Sequence, residues 1–302
     1  MKYIILLLTR KCIFQCSHCE IFSSPDVSDT FNTTSLRKFF QKIRNSGVTD
    51  VIISGGEPFL YFPLLRFAVQ EASNNGIKPT VWTSGYWMAN VQMFELSIKY
   101  LAESGLKRII LSSDDFHHNR SVSESQKFLR EKIKSYNVEL GISSHDTPDG
   151  STKTVKNGAL PLKGIAFVRG RGAYQKYSGC EYYSANELSN CPHQKLTAPE
   201  YVYADSTGNI MPCPGITYGN IYKSSLESIL SDENITSNQF INILTLGDFD
   251  KAARMVDIDP NEKRFYDHCH CCYTIRNAMR LSGMLQFPES YYSGLDTTEP
   301  VK

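Results

Sequence analysis

The chain has 302 residues, of which 41% are hydrophobic, 12% aromatic and 21% charged, a composition that excludes disordered, collagen-like and membrane-type chains. With 32 Lys and Arg against 31 Asp and Glu the formal charge is +1, so no global field draws in nucleic acid or an anionic membrane, and neither is expected as a partner. The nine cysteines are an odd number in a chain too long to be a small disulfide scaffold.

The N-terminal run MKYIILLLTRKC is too short in apolar residues for a secretory signal core, and no stretch approaches the ~20 apolar residues of a membrane span. A cytoplasmic location is therefore expected, where clustered cysteines serve as metal ligands or catalytic groups more readily than as disulfides.

Short apolar runs rich in β-branched residues begin at Tyr3, Asp50, Pro79, Lys107, Val138 and Gly164 and read as buried parallel strands. Amphipathic stretches fill the gaps. Leu36, Phe39, Phe40 and Ile43 share a face before Gly47, and helices from Phe62 to Ala72 and from Met93 to Ala102 end before Gly76 and Gly105, where a left-handed residue closes a helix. A fourth helix is expected from Ser121 or Ser123 to Tyr136, whereas the polar segment from His145 to Lys163 gives poor support for a fifth. The expected fold is α/β, a partial (β/α)6 barrel over residues 1–175, with a soft boundary between Tyr174 and Tyr177 and a small C-terminal domain over 176–302. Function in such folds collects at the C-terminal strand ends. There the sequence places SGGEP, TSGYW, SSDDFHH, GISSHD and VRGRGA.

The first strand runs into CIFQCSHC, with Cys12, Cys16 and Cys19 spaced CxxxCxxC. Three thiolates without a local fourth suit an iron–sulfur cluster with one open iron, although His18 offers the fourth ligand of a zinc site. At these residues, and at Ser54–Pro58, the chain resembles the radical SAM superfamily. The resemblance implies a [4Fe-4S] cluster on the three cysteines and S-adenosylmethionine on its open iron. It assigns Gly55, Gly56 and Glu57 to the methionine amino group, Ser84 with Gly85 to the carboxylate, and Ser112 with Asp114 to the ribose. His18 holds the place of an adenine-packing aromatic. Trp82, Tyr86, Trp87 and Phe116 are candidates to line the barrel and exclude water from a 5'-deoxyadenosyl radical. His117 and His118 are candidates for substrate contact or proton transfer.

The C-terminal region carries the other six cysteines, with Cys213 in DSTGNIMPCPGITYGNI and Cys269 and Cys272 in DHCHCC. This stretch resembles the SPASM or twitch domains that follow many radical SAM barrels. The resemblance selects Cys191, Cys213, Cys269 and Cys272 as ligands of one auxiliary [4Fe-4S] cluster, with a structural zinc as the rival. Cys180 and Cys271 remain, as inert thiols, alternative ligands or hydrogen-atom donors. Related peptide epimerases place a donor cysteine directly after the hairpin cysteine, where this chain has Pro214.

The whole pattern looks most like radical SAM enzymes that epimerise, crosslink or oxidise ribosomally made peptides. Enzymes that epimerise or oxidise aminosugars share much of the architecture. The lack of a leader-binding winged helix before the first strand favours a small molecule, and the cysteine hairpin favours a peptide. A reductant such as flavodoxin or ferredoxin is the expected protein partner. The contrasting class is a zinc-stabilised α/β binding protein without catalysis.

Overall fold

The computed structural model describes residues 1–114, 117, 131–147, 163–284 and 288–292. Six strands follow the expected order: β1 (Tyr3–Thr9), β2 (Asp50–Gly55), β3 (Lys78–Thr83), β4 (Arg108–Ser112), β5 (Glu139–Asp146) and β6 (Lys163–Ile165). Each neighbouring pair is parallel. Helices α1 (Thr33–Ile43), α2 (Phe62–Asn74) and α3 (Val91–Glu103) cover the connections. Of the expected fourth helix, α4, the described residues are 131–136, of which 131–135 is helical. The doubtful fifth helix falls largely outside them.

Local chemistry accounts for these elements. Asn32 and Ser35 form a reciprocal capping box at the start of α1, and Leu36, Phe39, Phe40 and Ile43 are all fully buried. Burial of such side chains stabilises by about 1.5–3 kcal/mol each, enough to fasten an 11-residue helix that would be marginal alone. Strand β1 is buried from Ile4 to Thr9, as a strand covered on both faces must be.

The sixth strand is shorter than its apolar run. After Ile165 the chain leaves the sheet, because 166–173 wraps onto the three-cysteine loop: the Arg171 amide donates to the Cys19 carbonyl at 3.0 Å. Gly170 is required there. Its φ is +58°, and a Cβ would lie 2.5 Å from the Cys19 carbonyl oxygen.

Beyond residue 176 no strand order is evident from the sequence, and the structure supplies one. Strand β7 (Tyr201–Ala204) pairs parallel with β1, then β8 (Asn209–Met211) and β9 (Gly219–Asn220) follow antiparallel. The nine-stranded sheet is therefore continuous, in the order β6-β5-β4-β3-β2-β1-β7-β8-β9. Asp205 shapes the β7–β8 turn by accepting the amides of Thr207 and Asn209, each at 3.0 Å. Short helices α5 (Leu226–Ile229), α6 (Asp232–Ser237), α7 (Gln239–Thr245) and α8 (Phe249–Arg254) lead to α9 (His268–Leu281). Among the described residues no helix is long and apolar enough to cross a membrane.

Candidate active site and second cysteine site

A cavity of about 200 Å³ opens at the C-terminal ends of the strands. Cys12, Cys16 and Cys19 line it together with Gly55, Gly56, Ser84, Ser112 and His18, so most of the expected cofactor residues share one wall. The glycine pair has a local reason. A Cβ on Gly55 would sit 2.1 Å from the Thr9 carbonyl oxygen, and one on Gly56 would sit 2.1 Å from that of Lys11. The amides of Gly56 and Glu57 donate to those carbonyls at 2.7 and 2.8 Å. The turn after β2 thus packs on the entry to the cysteine loop, which only glycine permits at such approach.

Glu57 stands behind the wall, fully buried. One carboxylate oxygen accepts the Phe59 amide at 3.0 Å and the Thr83 hydroxyl at 2.8 Å. The other accepts the Ser84 amide and hydroxyl at 2.8 and 2.5 Å. Burial pushes this carboxyl above the usual carboxylate range, against the pull of those donors. Asp114 also stands back from the cavity. Burial acts to raise it, yet the His117 Nδ1, at 2.6 Å, and the His145 amide, at 3.3 Å, hold it below the usual range. His117 itself lines the cavity, and its ring meets that of His18 edge-on at 5.3 Å. Burial, aided by His117, lowers His18 to about 3, so it is a neutral flat ring at pH 7.

The aromatic lining departs from the sequence reading. Trp82 is in the wall, donating from Nε1 to Ser112 Oγ at 3.1 Å. Trp87 stacks on Phe59 at 3.8 Å instead, with Phe94 at 5.8 Å, and Tyr86 packs on the same core. Neither contributes to the cavity surface: the turn after β3 carries Trp87 onto Phe59 and onto Phe94 of α3. Phe116 and His118 lie outside the described residues. Phe14, Phe167 and Tyr203 line the cavity in their place, with Ser143, His145 and Arg171 among its polar groups. The sequence points to the strand ends GISSHD and VRGRGA but to no single residue in them. Tyr203 carried no signal, since its place depends on β7 pairing with β1.

The same segment after β6 forms the partition to a second, narrower cavity of about 40 Å³, lined by Cys191, Cys213, Cys269, Cys272, Arg169 and Arg276 among others. Four cysteines far apart in sequence meet here. Cys269 and Cys272 share one face of the first turn of α9, which Asp267 caps by accepting the His270 amide at 2.7 Å. Cys271 points the other way. It is fully buried in the apolar core and lines neither cavity. Cys180 packs with Val168, Tyr177 and Tyr266, also away from both. As hydrogen donors these two thiols are thus placed where a substrate in the first cavity does not meet them.

Both cysteine sets offer the thiol ligands that iron–sulfur clusters take. Burial pushes Cys12 up to about 11, Cys16 and Cys272 to about 12, and Cys191 and Cys269 above the usual thiol range, so without metal these thiols stay protonated and a metal must displace the protons. The second site also buries positive charge. Arg276 is 1% exposed, its Nε has no hydrogen-bond partner, and its Nη1 lies 3.5 Å from Cys213 Sγ. A buried guanidinium needs an anionic neighbour, which thiolates on a cluster provide. Among the described residues no three His, Cys, Asp or Glu converge closely enough to hold one metal ion. Thiols ringing a cavity in this way are the donor set of a metal or iron–sulfur site.

Residues 6–140 match the family model of the radical SAM superfamily. The chain carries a radical SAM domain. Of similar proteins, the GTP 3',8-cyclase of Aliarcobacter butzleri (strain RM4018) is 25% identical over 170 residues, covering 55% of this chain and 48% of that protein. The chain thus matches about half the length of that relative. YydG of Bacillus subtilis (strain 168), assigned by its name to peptide biosynthesis, is 20% identical over 320 residues, covering 97% of this chain and 98% of YydG. The crystal structure of BtrN in complex with AdoMet and 2-DOIA superposes with a TM-score of 0.55 at 17% identity, covering 83% of this chain and 89% of BtrN. This likeness is one of fold, and it covers more of the chain than the 135 residues that match the family model.

Proposed function

We propose that the protein is a radical SAM enzyme that oxidises or crosslinks a peptide, with S-adenosylmethionine and one [4Fe-4S] cluster in the first cavity and a second cluster on Cys191, Cys213, Cys269 and Cys272. The observation that carries this reading is the meeting of two cysteine-lined cavities at the Phe167–Arg169 partition. When bound, these groups supply a 5'-deoxyadenosyl radical for hydrogen abstraction and an acceptor for one electron.

The chain's own residues do the rest. Glu57 fixes Thr83 and Ser84 on one side of the cavity, and Trp82 fixes Ser112 beside them. Removing two hydrogens from a substrate as one hydrogen atom, one proton and one electron requires a proton acceptor. His117 suits that role: the Asp114 carboxylate accepts a hydrogen bond from Nδ1–H, which leaves the Nε2 lone pair of the neutral ring as the acceptor. Apolar Phe14, Phe167 and Ile5 in the wall limit water at the radical.

Epimerisation needs a thiol on the opposite face of the substrate, and neither Cys180 nor Cys271 lines the cavity, which favours oxidative outcomes. The near full-length similarity to YydG supports a peptide substrate. An aminosugar or related small molecule is the second reading, in view of the shared fold with BtrN crystallised with 2-DOIA. Anaerobic reconstitution with S-adenosylmethionine and a reductant is expected to form 5'-deoxyadenosine, and its absence overturns the enzyme reading. With peptides encoded beside the gene, a product lighter by two hydrogens supports oxidation. A product of unchanged formula carrying solvent deuterium overturns oxidation in favour of epimerisation.

A further inference from the structure

Arg169 is buried in the partition between the two cavities and touches groups on both sides. Its Nη2 lies 2.7 Å from Glu20 Oε2, and its Nη1 lies 3.0 Å from Cys213 Sγ. Glu20 follows Cys19 directly in the chain and lines the first cavity. Cys213 lines the second. The guanidinium sits over the Phe167 ring at 4.5 Å, which fixes its plane, and its Nε is buried without a partner. Arg276 reaches the same sulfur from the other direction, held over the rings of Tyr273 at 4.9 Å and Tyr292 at 5.7 Å. Two buried cations therefore converge on one thiol, and one carboxylate, Glu20, neutralises one of them.

We propose that Arg169 is a positioning residue that holds Cys213 and sets the reduction potential of the second site, with Glu20 as a counter-charge that ties this setting to the loop of the first. The proposal rests on the reading of the second site as a cluster. An N–H donor and a positive charge at a ligating sulfur favour the more negative, reduced form of a cluster and raise its potential. Glu20 offsets part of that charge. Arg169 and Glu20 thus act on the second site with opposite signs, although Glu20 belongs to the first loop in sequence. The short β6 strand explains why one residue can do both: by leaving the sheet after Ile165, the chain places Arg169 against the second site and Gly170 and Arg171 against the first.

The test uses a full chain carrying Cys12→Ala, Cys16→Ala and Cys19→Ala, so that only the second cluster is present, with its potential followed by EPR during an anaerobic redox titration. In that background Arg169→Gln is expected to lower the ratio of reduced to oxidised cluster at fixed potential about tenfold, equivalent to about 59 mV for a one-electron couple. Arg169→Lys, which keeps the charge without the fork, is expected to fall between. Glu20→Gln is expected to shift the ratio the other way. Shifts of the same sign in Arg169→Gln and Glu20→Gln, or none, overturn the proposal. If Arg169→Gln fails to fold or to take up iron, Glu20→Gln decides alone, and no upward shift overturns it. If the background protein holds no iron, the cluster reading of the second site falls, and with it this proposal.

Discussion

Ser84 donates both its backbone amide and its hydroxyl to the same carboxylate oxygen of Glu57, at 2.8 and 2.5 Å. The turn after β3 is thereby fastened to the turn after β2 from behind, on the side away from the cavity. With Phe59 and Thr83 on the other oxygen, four donors converge on one buried group. Replacing Glu57 with Ala leaves them without acceptors, at about 1–3 kcal/mol for each one that water cannot reach. Glu57→Ala is expected to lose at least 3 kcal/mol in urea unfolding, and Ser84→Ala about 1 kcal/mol.

The same carboxyl gives a pH dependence of definite sign. Burial raises Glu57 in the folded chain, so across the window from the usual carboxylate range up to the raised value the native state binds more protons than the unfolded state. Stability contributed by Glu57 is then present at low pH and falls as pH rises through that window. The difference in unfolding free energy between wild type and Glu57→Gln, measured from about pH 4 to pH 8, is expected to move against the wild type as pH rises. A flat difference would show that the carboxyl is not raised.

Iron content separates the two cysteine sets. Anaerobically reconstituted wild type is expected to hold about eight irons. Replacing Cys191 or Cys213 with Ala is expected to leave about four, as is the triple replacement of Cys12, Cys16 and Cys19. Cys271→Ala, whose thiol is sealed in the core, is the control: it costs about 1 kcal/mol of packing and leaves the iron count unchanged. Zinc in place of four irons in the triple variant would show a structural metal in the second site.

Arg171 clamps the cysteine loop from above, its guanidinium donating to the Cys16 carbonyl at 3.0 Å and the Ser23 carbonyl at 2.5 Å. A loop carrying three ligands must be held in one shape to keep an open iron in place. Arg171→Ala is expected to lose its first cluster at least tenfold faster on exposure to a chelator, as read at visible wavelengths, while the second cluster remains. Arg171→Lys keeps the charge but not the fork that reaches both carbonyls, and is expected to lie between.

Much of the first cavity was legible because its residues are written into consecutive strand-end segments. CxxxCxxC, SGGEP, TSG and SSD each follow an apolar run, and a parallel sheet brings such ends together whatever the rest of the chain does. The four cysteines of the second cavity are picked out only by a family resemblance, and they meet although nothing in their spacing dictates it. What the sequence hid depends on contacts between distant elements. Tyr203 reaches the cavity only because β7 adds to β1, and Arg169 reads as an ordinary strand-end cation until Glu20 and Cys213 stand on either side of it. The aromatic misassignment has the same origin, since the composition of a turn does not say which face of it Trp87 takes.

His117, oriented by Asp114, divides hydrogen abstraction from completion of the reaction. Replacement by Gln keeps a hydrogen-bonding side chain but removes the base. His117→Gln is expected to form 5'-deoxyadenosine still, while oxidised product falls about a hundredfold, the lower end of the usual worth of a positioned base. Equal losses of both products would place His117 in cofactor binding instead.

The pairing of β7 with β1 constrains motion as well as position. Neighbouring strands are about 4.8 Å apart and joined along their length, so the strands that lead into the two cysteine sites are teeth of one comb with no hinge between them. Opening the cavity by swinging the C-terminal part away would break four registered residue pairs from Tyr3–Tyr201 to Leu6–Ala204. The distance between the two cysteine sites is therefore set by the sheet itself, and it cannot change without breaking those pairs.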